Sequence, residues 1–305
     1  LVKRRVRDNQ VERLVAHPVD AVHGTNRSRG KAVHAKGALG RQHGGRRQRG
    51  EPQQRPAPHP ETPVVSPPGR PLRIKFLAPA DVRHALETNP RLLVPVGTCE
   101  QHGAHLPLGC DTLVVERLAD DLSAEFGILV APTIEYGVNV ATSEAFPGNA
   151  SVRRKTLRRW VNDLLLDWER EGVQEFLILT AHGHAPHQEA LGTVVTERAR
   201  VRVIDVLAIE FGALVDGAEG PIHGGEVDTS LALYVAPHLV RMDQARDFIL
   251  AETDVRRYRR GSTMRLPAIS QGTLGEPTRA SAAKGQLIFE HIKERIRTRV
   301  LGVPA

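Results

Sequence analysis

The stretch CEQHGAHLPLGCD (99–111) crowds Glu100, His102, His105 and Asp111 into one short segment. Two later stretches repeat the mixture: AHGHAPH (181–187) carries His182, His184 and His187, and PIHGGEVDTS (221–230) carries His223, Glu226 and Asp228. Neutral imidazoles mixed with carboxylates form a donor set for Zn, Mn or Fe, and a carboxylate can bridge two such ions. No pair of cysteines accompanies them, which argues against a closed structural zinc site and for an open, hydrolytic one. Each residue also has a plainer use. Asp111 suits the N-cap of a helix starting there, Glu100 could accept backbone N–H groups in a tight loop, and His105 and His187 read as hydrogen-bonded support outside the ligand set. Gly103, Gly109, Gly183, Gly224 and Gly225 could serve turns. Only convergence of the three stretches at one place favours metal binding over these uses.

That convergence depends on the surrounding elements. LLVPV (92–96) reads as a short buried strand, DTLVVERLADDLSAEF (111–126) as a helix stopped by Gly127, and ILVAP (128–132) as the next strand. In TLRRWVNDLLLDWEREG, Leu157, Val161, Leu164, Leu165 and Trp168 share one helical face, and Gly172 supplies the stop before the strand EFLILT (175–180). Both tryptophans, Trp160 and Trp168, are expected to pack into the core from this helix. A helix from Glu189 to Arg200, the strand VRVIDVLAI (201–209), a helix around Ser230 and a final helix over 281–298 follow. Continuous apolar strands alternating with helices predict an α/β fold, a three-layer α/β/α sandwich with a mainly parallel central sheet. In such sheets ligands gather outside the carboxyl ends of the strands. The loops after Val96, Thr180 and Ile209 should therefore meet.

The 305 residues, 40% of them hydrophobic, can fill a sizeable core, and two cysteines, Cys99 and Cys110, offer no disulfide framework. A reducing, cytoplasmic setting is expected. No stretch approaches the roughly 18 apolar residues of a membrane span, and the basic opening LVKRRVRDNQ lacks a following apolar segment, so no membrane partner or secretory signal is expected. The net charge of +7 and pI of 9.8 invite a nucleic-acid reading, yet the charge is lopsided. Residues 1–70 hold 15 Lys/Arg against 5 Asp/Glu, leaving 27 basic and 30 acidic residues in 71–305. The first part, rich in Arg, Gly and Pro, is expected to be a disordered basic tail, and 71–305 the working domain. With no aromatic residue to stack on bases, the tail reads as solvated rather than as a nucleic-acid arm.

At this point the residues resemble a known family. PVGTCEQHGAHLPLGCD is similar to the P-V-G-S-x-E-Q-H-G-x-H-L-P-L-x-x-D signature of the creatininase (creatinine amidohydrolase) family. TAHGHAPHQEAL resembles its N-G-H-G-G-N or G-H-Y-E-N segment, IHGGEVDTSL its H-A-G-x-x-E-T-S, and FPGNAS (146–151) its F-P-G-T-x-S loop, so that the likeness spans about 72–300. The resemblance implies two divalent ions (Zn, Mn or Fe): Glu100 and His182 hold one, His102 helps hold the other, and Asp111 bridges them. His184 stands where creatininase itself has a Glu ligand to the second ion; if it does not ligate, Glu226 or Asp228 is the substitute. Asp228 departs too, since the family usually has Glu there.

Paired ions about 3.5–4 Å apart lower the pKa of a shared water and polarise a substrate carbonyl. The resemblance then suggests His223 as proton donor to the leaving nitrogen, oriented by Asp228 or Glu226. It also implies a homo-oligomer, a hexamer in size. Creatininase proper has a Tyr where this chain has Gly183 and Trp residues near the third motif where AEGPIHGG has none, so creatinine is not the expected substrate. The expectation is hydrolysis of a small amide or cyclic amide, with the polar loop GVNVATSEAF (137–146) suiting a hydroxylated ligand. The enzymatic alternative is carbon–carbon hydrolysis of a cyclic polyol ketone such as a keto-inositol. The non-enzymatic alternative is nucleic-acid binding through the basic arm.

Overall fold

The computed structural model describes residues 11–12, 69–139, 146–216, 222–259, 266 and 268–303. Its sheet contains β1 (Val11–Glu12), β2 (Leu72–Arg73), β3 (Arg91–Pro95), β4 (Leu129–Val130), β5 (Glu175–Thr180) and β6 (Arg200–Asp205) in the order β1-β6-β5-β3-β4-β2, with every pairing parallel. The helices are α1 (Pro79–Thr88), α2 (Cys110–Phe126), α3 (Arg154–Arg170), α4 (Ala185–Gly192), α5 (Glu226–Val235), α6 (Glu252–Arg259) and α7 (Ala282–Arg299). Of the stretch expected as a tail, only Val11–Glu12, paired with Val203 and Ile204, and Gly69–Arg70 lie within the described residues.

The central strands are apolar on both faces, and alternate residues enter separate cores. Leu93, Leu177, Leu179 and Ile204 pack with α2, α5 and α7, while Leu92, Val94, Phe176, Ile178 and Val203 pack with Leu86 of α1 and with α3 and α4. This is the expected three-layer α/β/α sandwich. Gly127 ends α2 with a left-handed φ of 60°, as its position after the apolar pattern implies.

Three expectations need correction. The helix expected from Glu189 to Arg200 is instead α4, which starts at Ala185 with Pro186 in its first turn and stops at Gly192. Residues 197–199 form a turn whose backbone N–H groups donate to the Glu169 carboxylate, which blocks helix continuation. The strand expected to reach Ile209 ends at Asp205, whose side chain accepts the Leu207 N–H at 3.1 Å and turns the chain. Trp160 is 41% exposed, because it lies off the Leu157–Val161–Leu165 face; Trp168 does pack against the core.

The chain passes from β3 through α2 to β4 on one side, then returns to place β5 on the other side of β3. Loops leaving β3 and β5 therefore open a crevice at their carboxyl ends, the switch point where α/β sheets bind ligands. Those loops carry the first two motifs.

Candidate metal centre

The loop after β3 folds back on α2. Glu100 N–H donates to Leu108 O at 3.0 Å, and a Cβ on Gly97 would lie 2.1 Å from Thr112 Oγ1, so only glycine permits this approach. Gly103 adopts φ 93°. The N-cap of α2 is Gly109, so Asp111 does not cap. Its carboxylate faces the pocket, accepting from Thr98 Oγ1 at 2.5 Å, with Oδ1 3.2 Å from His102 Nε2 and Oδ2 3.3 Å from His182 Nδ1. Glu100 Oε2 lies 3.3 Å from the same His182 nitrogen.

Two overlapping groups of donor atoms result. Glu100, Asp111 and His182 form one, and Glu100, His102 and His223 the other, with the ligand atoms of each group within 4.8 Å of one another. The sequence placed His223 outside the ligand set, as the proton donor; the fold brings it within ion-binding distance, its ring 4.3 Å from that of His102. Asp111 reaches both His102 and His182, as a bridging carboxylate must.

The second motif is organised around one peptide. Val138 O accepts from His182 Nε2 at 3.1 Å and His184 Nδ1 at 2.7 Å, while Val138 N–H donates to His187 Nδ1 at 3.2 Å. His184 Nε2 is buried with no hydrogen-bond partner, an orphaned donor atom of the kind a cation would satisfy. His105 and His187 are hydrogen-bonded, His105 Nε2 meeting Thr229 Oγ1 at 2.8 Å and His187 Nε2 meeting Thr180 Oγ1 at 3.1 Å, while His105 Nδ1 is, like His184 Nε2, buried without a partner.

Asp228 is buried and accepts the Gly224 N–H at 2.8 Å, which closes the turn carrying His223. Glu226 is engaged elsewhere: its carboxylate pairs with Lys284 and accepts the Asp216 N–H at 3.1 Å. Of the two acids expected to orient His223, Asp228 is thus bonded to the turn that carries it, and Glu226 to Lys284 and the Asp216 N–H. Gln101 escaped sequence reading. Its Oε1 accepts the Gly103 N–H at 2.9 Å, so its amide N–H₂ is the group 3.0 Å from His223 Nε2. The Val138 hub escaped as well, since no side-chain pattern marks a backbone carbonyl. Residues 140–145 of the polar loop and 217–221 before the third motif lie outside the described residues.

Burial works against charge throughout this pocket, yet pairing overcomes it where acids and bases meet. His102 is raised to about 10 by Asp111, with Asp228 and Glu100 beyond, and His182 to about 9 by Glu100 and Asp111. The two rings in turn hold the Asp111 carboxyl well below its usual range. His184, without an acid beside it, falls to about 4, mainly through burial. Burial and the neighbouring His102 push His223 well down, and burial lifts Asp228 to about 6. Mixed N/O donors, their spacing and the orphaned His184 nitrogen fit divalent ions.

The family model described as creatinine amidohydrolase matches residues 76–300. The chain belongs to the creatininase family. Over 211 residues it is 34% identical to the mycofactocin precursor peptide peptidase of Mycolicibacterium smegmatis, covering 66% of this chain and 80% of that one. With the creatinine amidohydrolase of Pseudomonas putida it shares 29% identity over 220 residues, 65% of this chain and 84% of the relative. A more distant relative is the 3-dehydro-scyllo-inosose hydrolase of Thermotoga maritima, at 22% identity over 77% of this chain and 86% of that one. Among solved structures, a zinc-loaded creatininase variant superposes with TM-score 0.64 at 24% identity, over 77% of this chain and 99% of its own, and a manganese creatininase with TM-score 0.61 at 24% identity, over 77% and 100%. These establish a creatininase-family hydrolase that is not creatininase proper, with a cluster of metal-binding residues at the switch point of its sheet.

Proposed function

We propose that the protein is a two-ion hydrolase that cleaves the C–N bond of a small amide or peptide. The observation that carries this reading is the continuous contact chain Glu100–His182–Asp111–His102 in one buried pocket. Glu100, Asp111 and His182 would hold one ion; His102 and Asp111, with Asp228 or His184, the other. Bound there, divalent ions supply the positive charge that makes water a nucleophile near neutral pH and polarises the carbonyl. His223, held neutral, takes the proton of the attacking water and passes it to the departing nitrogen. Gln101 donates to His223 Nε2, so the neutral ring keeps its own proton on Nδ1, and Nε2 takes up the water's proton only as the Gln101 contact opens. Asp228 keeps the His223 turn closed. A peptide amide accords with the name of the M. smegmatis relative. The same reading makes the protein a cytoplasmic homo-oligomer, hexameric by family likeness, which light scattering would size; among the described residues no helix is long and apolar enough to cross a membrane.

Metal analysis of protein purified without chelator tests the site: about two ions per chain are expected, falling sharply in Asp111→Ala. His223→Ala should keep its metal and lose about 10²–10⁴ in turnover of an amide, read as released amine. Retained turnover would remove His223 from the reaction. Turnover of an inosose with no amine released from any amide would replace this reaction with that of the T. maritima relative.

A further inference from the structure

We infer that the cationic first half of α3 is a docking surface for an acidic stretch of a peptide substrate, an inference that rests on the amide-hydrolase reading. Arg153, Arg154, Lys155, Arg158 and Arg159 are all exposed, with the exposed Trp160 among them. Arg154 pairs with Glu189; among the described residues the other four side chains meet no carboxylate within ion-pair distance. A helix start favours acids, because its free N–H groups carry partial positive charge. Here the first turn has none, and no side chain caps it. Five cations at that end oppose helix formation, so their clustering serves something other than the stability of α3. Nor is it background, for residues 71–305 hold fewer basic than acidic residues, 27 against 30.

Placement supplies the second argument. Because α3 follows β4 and leads into parallel β5, its first turn lies at the carboxyl edge of the sheet, where Glu100 and His182 stand. The segment leading into it is bonded to the site itself. Ala150 N–H donates to Cys99 O at 3.0 Å, Asn149 Oδ1 accepts the Gln101 N–H at 2.5 Å, and Val152 N–H donates to Gly137 O at 2.9 Å. Arg153 follows Ala150 by three residues, a reach of about 11 Å at most. An acidic side chain three or four positions from the scissile bond covers the same span. Guanidinium groups take carboxylates in paired hydrogen bonds, and Trp160 offers an apolar plate beside them. A polynucleotide would meet the same cations, but a peptide is the polymer whose backbone this site's chemistry cleaves.

The test compares the full, metal-loaded chain with Arg158→Glu/Arg159→Glu, with the single Arg158→Glu, and with Arg170→Glu, a single reversal at the far end of the same helix, where Arg170 pairs with Asp167. The basic N-terminal residues are common to all four, so differences belong to α3. Probes are a fluorescent Glu-rich decapeptide, its Gln counterpart and a single-stranded oligonucleotide, each followed by anisotropy on mixing. The double reversal should weaken the Glu peptide at least tenfold and Arg158→Glu by a smaller factor, Arg170→Glu should leave it unchanged, and the Gln peptide should bind weakly throughout. For a cleavable acidic peptide, KM should rise by the same factor with kcat unchanged. Equal binding by Arg158→Glu and Arg170→Glu overturns the docking surface, as does an oligonucleotide that outcompetes the Glu peptide and shares its loss. Docking that persists while no amide is cleaved overturns the amide-hydrolase reading alone. Cleavage of an acidic peptide with KM untouched by the double reversal overturns the docking alone.

Discussion

Three imidazoles of the second motif answer to the Val138 peptide. Its carbonyl demands N–H on His182 Nε2 and His184 Nδ1, so each ring can offer only its other nitrogen to a cation. The lone pair of His182 then falls on Nδ1, the atom beside Glu100 and Asp111. Gly137 makes this possible, since a Cβ there would lie 2.5 Å from Thr98 Cγ2 and 2.7 Å from His187 Nδ1. Gly137→Ala should therefore displace the hub, lowering metal content and destabilising the fold by about 1–3 kcal/mol. Metal analysis beside denaturant unfolding measures both, and full metal content in the variant would show that the hub does not set the rings.

Among the elements, α5 brings the third motif to the pocket and α7 holds α5 in place. The contact is backbone-close: a Cβ on Gly285 would lie 1.8 Å from Ser230 O. Gly285→Ala must push the two helices apart. We expect a loss of about 2–3 kcal/mol, with weaker metal binding than a surface substitution of equal cost, because Asp228 and the His223 turn ride on α5. Unfolding curves and metal titration of Gly285→Ala check this, and metal binding equal to wild type would separate α5 position from the site. The element scale also explains the misplaced helix before β6. Helical periodicity in 189–200 is genuine as a pattern, but the Glu169 carboxylate, reaching across from α3, captures the backbone N–H groups that a helix would have used.

For the whole molecule the buried histidines set a pH window. In the metal-free chain His184 and His105, both lowered to about 4, stabilise the fold above the unfolded value near 6.5, and this is lost as pH falls towards 4. His102 and His182 are raised to about 10 and about 9, so their contribution is complete below 6.5 and is lost as pH rises through 9–10. Metal-free protein should therefore be most stable near pH 6.5 and lose stability steadily from there up to 9–10. Ions must displace protons from His102 and His182, so apparent affinity should climb with pH across that window. Thermal unfolding with and without metal at acidic, neutral and alkaline pH measures both trends. Affinity that stays flat with pH would mean these rings are not the ligands.

Much of this was legible in one dimension. The alternation of apolar runs with amphipathic helices prescribed a parallel sandwich, because buried strands and one-sided helices have few other ways to pack. The donor types in 99–111 and 181–187 announced cation chemistry, since local spacing already groups them. Partner choice was not legible. Glu226 and Asp228 lie two residues apart, look interchangeable in sequence and are equally buried, yet α7 supplies Lys284 to one while the other accepts the Gly224 N–H. Likewise the Val138 carbonyl, the Gln101 contact with His223 and the exposure of Trp160 depend on segments distant in the chain meeting at set distances. Residue type determines what chemistry is available; only packing decides which groups stand close enough, and dry enough, to perform it.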